Sequence, residues 1–192
     1  MIDAAMTLVD EAGLDELTTR RLAERLGLRV GAIYWHVKNK DELLAELADR
    51  IVGEALTEPL PDMGASDQLA VTAKALRRAM LDHRDGARLV AGYAVPGPNS
   101  LALADRLIGI ARTAGVPLPL AAHACDALLS YTTGFVLQEQ QQPRGGAASG
   151  RGQDLDLSGL PHLAELLAAG IPDREAAFGA GLQLITAGVI AR

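Results

Sequence analysis

Apolar residues return every three or four positions along almost the whole chain, and that period suits one regular structure. Ile2, Ala5, Leu8, Val9 and Ala12 mark a first stretch, and Leu22 and Leu26 a second. Val30, Ile33 and Val37 mark a very short third. Leu43, Leu44, Leu47 and Ile51 mark a fourth that runs to about Leu56. This spacing places apolar side chains on one face of an α-helix. Strand-like alternation by twos is nowhere sustained. The punctuation agrees. Gly13 stops the first stretch, Thr18 can cap the second and Gly27 ends it, and Asn39 with Glu42 forms a capping-box variant before the fourth.

The rest of the chain repeats the pattern. "EPLPDMGAS" (58–66) is a Pro/Gly connector and a domain boundary by composition. Leu69, Ala73, Leu76 and Met80 predict a helix that ends near "HRDGA" (83–87), followed by a short one to about Tyr93. After the breaker "VPGPNS" (95–100), Leu103, Leu107, Ile110 and Ala114 predict another, ended by Gly115. A long helix opens at Pro117 and Pro119 and carries Leu128, Tyr131, Phe135 and Gln138 on one face. "QPRGGAASGRGQDLDLSG" (142–159) is a flexible loop by composition. Residues 161–169 suit a short helix, and 172–192 a last one. The expectation is an all-α fold of nine or ten helices.

Composition narrows the function classes. With 49% hydrophobic and 22% charged residues among 192, a sizeable core is available and disorder is not expected. One cysteine, Cys125, excludes an internal disulfide and fits a reducing cytoplasm. The four histidines are scattered without zinc spacing, so no metal and no cofactor is expected. The apolar pattern begins at Ile2 with no basic segment before it, so a signal peptide is not expected. The uncharged run 176–191 has 16 residues and three glycines, short of a bilayer span. Net charge is −6, against a general nucleic-acid coat, but residues 18–40 hold six cations and one acid. That segment therefore carries +5 and the remainder −11. A basic patch on an acidic protein outlines a localised anion-binding face.

That patch contains "YWHVKNK" (34–40), where two of the chain's six aromatics sit beside a histidine and two lysines. A core explains the rings but not the lysines, and a solvated face the reverse. A partner with phosphates and apolar sugars explains both, because Tyr, Trp, His and Lys all donate hydrogen bonds while the ring bodies pack on sugar. Gly27 between two short helices is the layout of a helix-turn-helix, in which the second helix presents side chains to the major groove. Leu22, Leu26, Ile33 and Val37 then face inward, and Arg20, Arg21, Arg29, Trp35 and His36 outward.

The segment "LTTRRLAERLGLRVGAIYWHVKNKDELL" (17–44) closely resembles the DNA-binding segment of tetracycline-repressor-type (TetR) regulators. "HRDGA" and "GFVLQEQ" (134–140) are also similar to the tetracycline-repressor branch. The resemblance implies a helix-turn-helix head, 1–44, and an effector-binding and dimerisation domain, 45–192. It implies a homodimer on a palindromic DNA operator, joined through about 118–141 and 173–190. A small organic effector would spread the two heads and release the DNA. By motif position, Thr19 and Arg20 touch DNA, and Tyr34, Trp35, His36 and Lys40 fix the phosphates. Arg20 is the candidate for a bidentate guanine contact. Arg29, Val30 and Gly31 complete the DNA set.

Departures from the branch carry information. Its recognition helix has Gln and Pro at the positions of Val30 and Gly31, so base readout differs. Its magnesium-chelating His and a pocket Glu fall at Val90 and Gln138, and a polar pocket position falls at Leu56. A hard cation needs oxygen ligands, so the expected effector is largely apolar and metal-free. Its expected pocket comprises Leu56, Thr72, Leu76, Val90, Tyr93, Leu107, Cys125, Tyr131 and Gln138.

Plainer readings compete at single residues. Arg21 and Arg25 suit a solvated face or a pair with Glu24. His83, near a helix end, suits a favourable partial charge there. Tyr93, Tyr131, Thr132 and Thr133 serve equally as pocket anchors or as ordinary packing. In the 172–192 helix, Phe178, Leu182, Ile185 and Val189 form a stripe, and Ala177 and Gly181 permit close approach of another helix. That helix is a partner's or the chain's own. An activator with the same head, or more remotely a helical-bundle enzyme, are the alternative functions.

Overall fold

The computed structural model describes residues 1–35, 37–57, 59–93, 96–141 and 156–190. All regular structure among them is helical. In chain order the helices are α1 (Ile2–Ala12), α2 (Thr19–Leu26), α3 (Val30–Ile33), α4 (Lys40–Glu54) and α5 (Ala65–Leu81). Then come α6 (Gly86–Gly92), α7 (Pro98–Thr113), α8 (Leu118–Gln141), α9 (Pro161–Ala169) and α10 (Arg174–Ile190). A 3₁₀ turn, Leu14–Glu16, sits between α1 and α2, where the periodicity shows no helix because three residues cannot display a period.

Boundaries moved where proline and glycine were read as linkers. α5 starts at Ala65, inside the 58–66 connector, and α7 starts at Pro98, inside the breaker. Pro98 serves as the first helical residue, where a missing N–H costs nothing. The predicted third helix shrinks to four residues. Val37 lies beyond it yet remains in the core. The loop prediction for 142–159 falls mostly outside the described residues.

α1, α2, α3 and the start of α4 form the head, and the other helices form the body. α4 belongs to both. Leu43, Leu44 and Leu47 are buried toward the head end, and Ile51, Val52 and Ala55 toward the body end. The 44/45 boundary therefore falls inside one continuous helix. In the body, α5, α7 and α8 pack on one another, α6 lies against α4 and α8, and α10 lies against α5 and α8. The buried face of α10 is Phe178, Leu182, Thr186 and Val189, while Ile185 is half-buried. Gly181 gives close approach within the chain: a Cβ there would fall 2.0 Å from the Tyr131 hydroxyl of α8. No helix among the described residues is long and apolar enough to cross a membrane.

Candidate nucleic-acid interface and effector cavity

Local rules build the head. The Thr18 hydroxyl caps α2 by accepting from the Arg21 N–H at 3.2 Å. Gly27 closes the helix in the left-handed region, φ 65, and the Leu28 N–H donates to the Ala23 carbonyl at 2.9 Å. Asn39 accepts from the Glu42 N–H at 2.8 Å, and the Glu42 carboxylate reaches back to the Lys38 N–H. The box thus closes one residue earlier than its standard form.

These elements leave one face outward. Arg20, Arg29, Val30, Gly31, Tyr34, Trp35 and Lys40 are exposed, and Thr19 is half-exposed. Trp35, the chain's one tryptophan, is 89% exposed. A ring this open to water is free to pack on a partner. His36 lies outside the described residues.

The patch is less positive than the sequence count suggests. Arg21 pairs with Glu16 at 2.6 Å and Arg25 bidentately with Glu11 at 2.6 and 2.7 Å. Both acids precede the 18–40 segment and return to it through the turn after α1. Arg25 lowers the Glu11 carboxyl below its ordinary value by direct hydrogen bonding. Glu24 pairs with Arg20 at 3.0 Å, not with Arg21 or Arg25.

Head and body are joined by the turn between α5 and α6. Asp85 adopts φ 58, and its carboxylate accepts from the Leu14 N–H at 2.8 Å. Arg88 bridges Asp85 at 3.2 Å and Asp15 at 2.9 Å. His83 places its ring nitrogens 3.1 Å from Asp10 of α1 and 3.1 Å from Glu54 of α4. Its surroundings are thus two carboxylates, not only a helix end. From the body, the Gln140 amide donates to the Met80 and His83 carbonyls, and its oxygen accepts from the Ala87 N–H. "HRDGA" and the end of "GFVLQEQ", 57 residues apart at His83 and Gln140, form one joint.

A cavity of about 440 Å³ lies behind that joint. Val52 of α4, Leu76 of α5, Val90 and Ala91 of α6, and Leu103 of α7 line it. α8 adds Leu129, Ser130, Thr133, Gly134 and Leu137, and Ser100 of α7 adds a second serine hydroxyl. Three hydroxyls and no charged group line this wall. Two larger hollows, about 670 and 750 Å³, have charged linings; the first is walled by the paired groups Asp15, Asp85, Arg88 and Glu139.

Of the nine expected pocket residues, Leu76 and Val90 line this cavity. Thr72 and Leu107 border a gap beside it that is too narrow for water. Tyr93 lines a separate hollow with Leu14 and Arg88. The structure does not bring Leu56, Cys125, Tyr131 or Gln138 to the cavity wall. The reason is helical register. The wall takes Leu129, Ser130, Thr133, Gly134 and Leu137 from one side of α8, whereas Tyr131 lies on another. The Tyr131 ring stacks on Phe178 at 5.4 Å, and its hydroxyl donates to the Phe178 carbonyl at 3.1 Å. Burial pushes its hydroxyl pKa up. Gln138 is exposed, and Cys125 is buried, its thiol also pushed up by burial. Leu56 lies just beyond α4, its carbonyl accepting from Arg106. Thr133, one of two readings in the sequence, is at the wall; Thr132 borders the closed gap. Val52, Ala91, Ser100, Leu103, Leu129, Ser130, Gly134 and Leu137 were missed. The 3.6-residue spacing from Thr133 could have found Leu129, Ser130 and Leu137, but nothing local points to Ser100.

Comparison with known proteins gives a consistent picture. Residues 1–47 match the family model for bacterial regulatory proteins of the tetR family, and 58–192 that for the tetracyclin repressor-like C-terminal domain. The chain is 37% identical over 196 residues to tetracycline repressor protein class A from transposon 1721 of Escherichia coli, covering 100% of this chain and 89% of that protein. It is similar to the Streptomyces coelicolor TetR family protein ActR in complex with actinorhodin, with TM-score 0.87 and 29% identity over 99% of this chain and 94% of that one. It is also similar to BioQ with its natural double-stranded DNA operator, with TM-score 0.73 and 31% identity over 100% and 96% of the two chains.

Proposed function

This chain belongs to the tetR family of bacterial regulatory proteins, and from that membership we propose that it is a cytoplasmic repressor. It binds a palindromic DNA operator as a homodimer and is released by a small, largely apolar organic effector. The observation that carries this reading is the placement of two unlike surfaces on one helix. α4 begins at the exposed Lys40, shortly after the exposed Tyr34 and Trp35 in the chain, and its Val52 lines the apolar cavity.

Roles follow from the chemistry. Thr19, Tyr34, Trp35, His36 and Lys40 hold phosphates and sugars, Arg20 reads a guanine, and Arg29, Val30 and Gly31 lie against base edges. Leu76 and Val90 pack on the effector, and Ser100, Ser130 and Thr133 orient it. The wall offers no carboxylate or imidazole, so a divalent cation would lack ligands there. It also offers no paired acids and no base-activated nucleophile, so it binds rather than catalyses. A hundredfold loss of operator affinity requires a coupling of about 2.7 kcal/mol between effector and DNA.

The test is a gel shift on DNA enriched from a random library, followed by titration of the complex with tetracycline, with and without magnesium. A palindromic site and no magnesium-dependent release are expected. Absence of sequence-specific binding defeats the repressor reading. Magnesium-dependent release at micromolar drug defeats the metal-free one.

A further inference from the structure

The first turn of α3 carries a pair of residues for which the fold has no use. Gly31 sits inside a four-residue helix without positive φ, and a Cβ built there would meet nothing within 4 Å. Neither a turn nor close packing calls for glycine, and glycine weakens a helix relative to alanine. Val30 beside it leaves an aliphatic side chain 40% exposed. Its partner is not an apolar protein groove, because Arg20, Arg29, Lys38 and Lys40 of the same short head segment are all exposed. This charge favours a polyanion.

A helix-turn-helix reads bases with the N-terminal residues of its second helix. Along the major groove, base edges display hydrogen-bonding groups, with one apolar exception, the C5-methyl of thymine. Val30 has no hydrogen bond to offer, so among base edges it matches that methyl. A glycine next to it removes the side chain that would hold the helix away, so the backbone can approach closely. We propose that Val30 and Gly31 form a thymine-reading seat. Val30 supplies the contact with the methyl, and Gly31 sets the depth of α3 in the groove. The inference rests on the DNA-binding reading above and adds the base that this turn selects.

The experiment uses the full chain. Sites are enriched from random double-stranded DNA, and each thymine in the resulting half-site is replaced by deoxyuridine, which removes only the methyl. At one or two positions, wild-type affinity should fall about fourfold per half-site, as expected for one buried methyl-sized group. Val30→Ala should bring that thymine-to-uracil ratio close to one. Gly31→Ala should keep or raise the melting temperature while weakening operator binding about tenfold or more, with non-specific binding and its salt slope retained. Equal binding of thymine and uracil at every position overturns the proposal. So does a ratio unchanged in Val30→Ala, or wild-type operator affinity in Gly31→Ala. Failure to enrich any sequence would instead sink the regulator reading, and this proposal with it.

Discussion

Arg20 extends from α2 with 82% of its side chain exposed, tethered to Glu24 by an exposed pair. Such pairs are weak, so a guanine edge can displace Glu24. Arg20→Ala should cost roughly 1–3 kcal/mol of operator affinity and relax one base position. Lys40→Ala, by contrast, should weaken all sequences alike and flatten the salt slope by about 1. Binding to a base-substituted operator panel separates the two, and an Arg20→Ala protein with intact preference would remove the guanine assignment. Asp49, buried on α4, behaves differently. Burial pushes its carboxyl up, but donors from Ser100 and Asn99 outweigh this and hold it below the ordinary carboxylate value. Ser100 donates from N–H and hydroxyl at 2.8 Å each, and Asn99 from N–H at 3.2 Å and amide at 3.0 Å. A lowered folded-state pKa contributes stability above the unfolded value, lost as pH falls through the folded one. Asp49→Ala should therefore cost roughly 1–3 kcal/mol at neutral pH, and its gap from wild type in urea melts should narrow below 3.8. A gap independent of pH would contradict the assigned cause.

Between helices, the seat of α10 is the feature that periodicity leaves open. Tyr131, Phe135 and Phe178 form one cluster, with centroids 5.1 to 5.7 Å apart. Arg77 of α5 stacks over Phe178 at 4.9 Å and forks onto Glu139 of α8 at 2.8 and 2.9 Å. It also pairs with Glu175 of α10. The Arg77 and Glu139 side chains are 13% and 11% exposed. Removing one partner of a buried pair strands the other and costs about 3–5 kcal/mol. Arg77→Ala should lower stability by an amount near that range and loosen α10 first. Urea melts with hydrogen exchange on residues 174–190 check this, and a loss under about 1 kcal/mol would show the pair to be a surface one in effect.

For the assembled protein, α8 and α10 present what one copy does not cover. Leu184 is 79% exposed and Leu118 57%. Leu184 lies beside the buried stripe and touches water in the single chain, so a charge there leaves that fold unharmed. Leu184→Glu should give a folded monomer that melts like wild type and has lost tight operator binding, because two half-sites need two heads. Sedimentation at micromolar concentration should show a wild-type dimer. A wild-type monomer, or a dimer unaffected by Leu184→Glu, would move the interface elsewhere.

How far the chain could be read follows from the range of the interactions involved. The helices, the caps at Thr18 and Asn39, the Gly27 turn and the outward placement of Trp35 are legible, because each depends on residues within a few positions. The cavity was legible only in part. Leu76 and Val90 lie at its wall, but Tyr131 turned to Phe178 and Gln138 to solvent, since the rotation of α8 is set by the helices around it. The same limit applies to charge. Glu11 and Glu16 neutralise Arg25 and Arg21, and Gln140 grips the turn at His83, through contacts that local spacing does not encode. Local sequence specified the helices and the exposed reading turn. The packing of α5, α8 and α10 specified which face of each helix meets which, because burial rewards whichever rotation covers the most apolar surface across elements far apart in the chain.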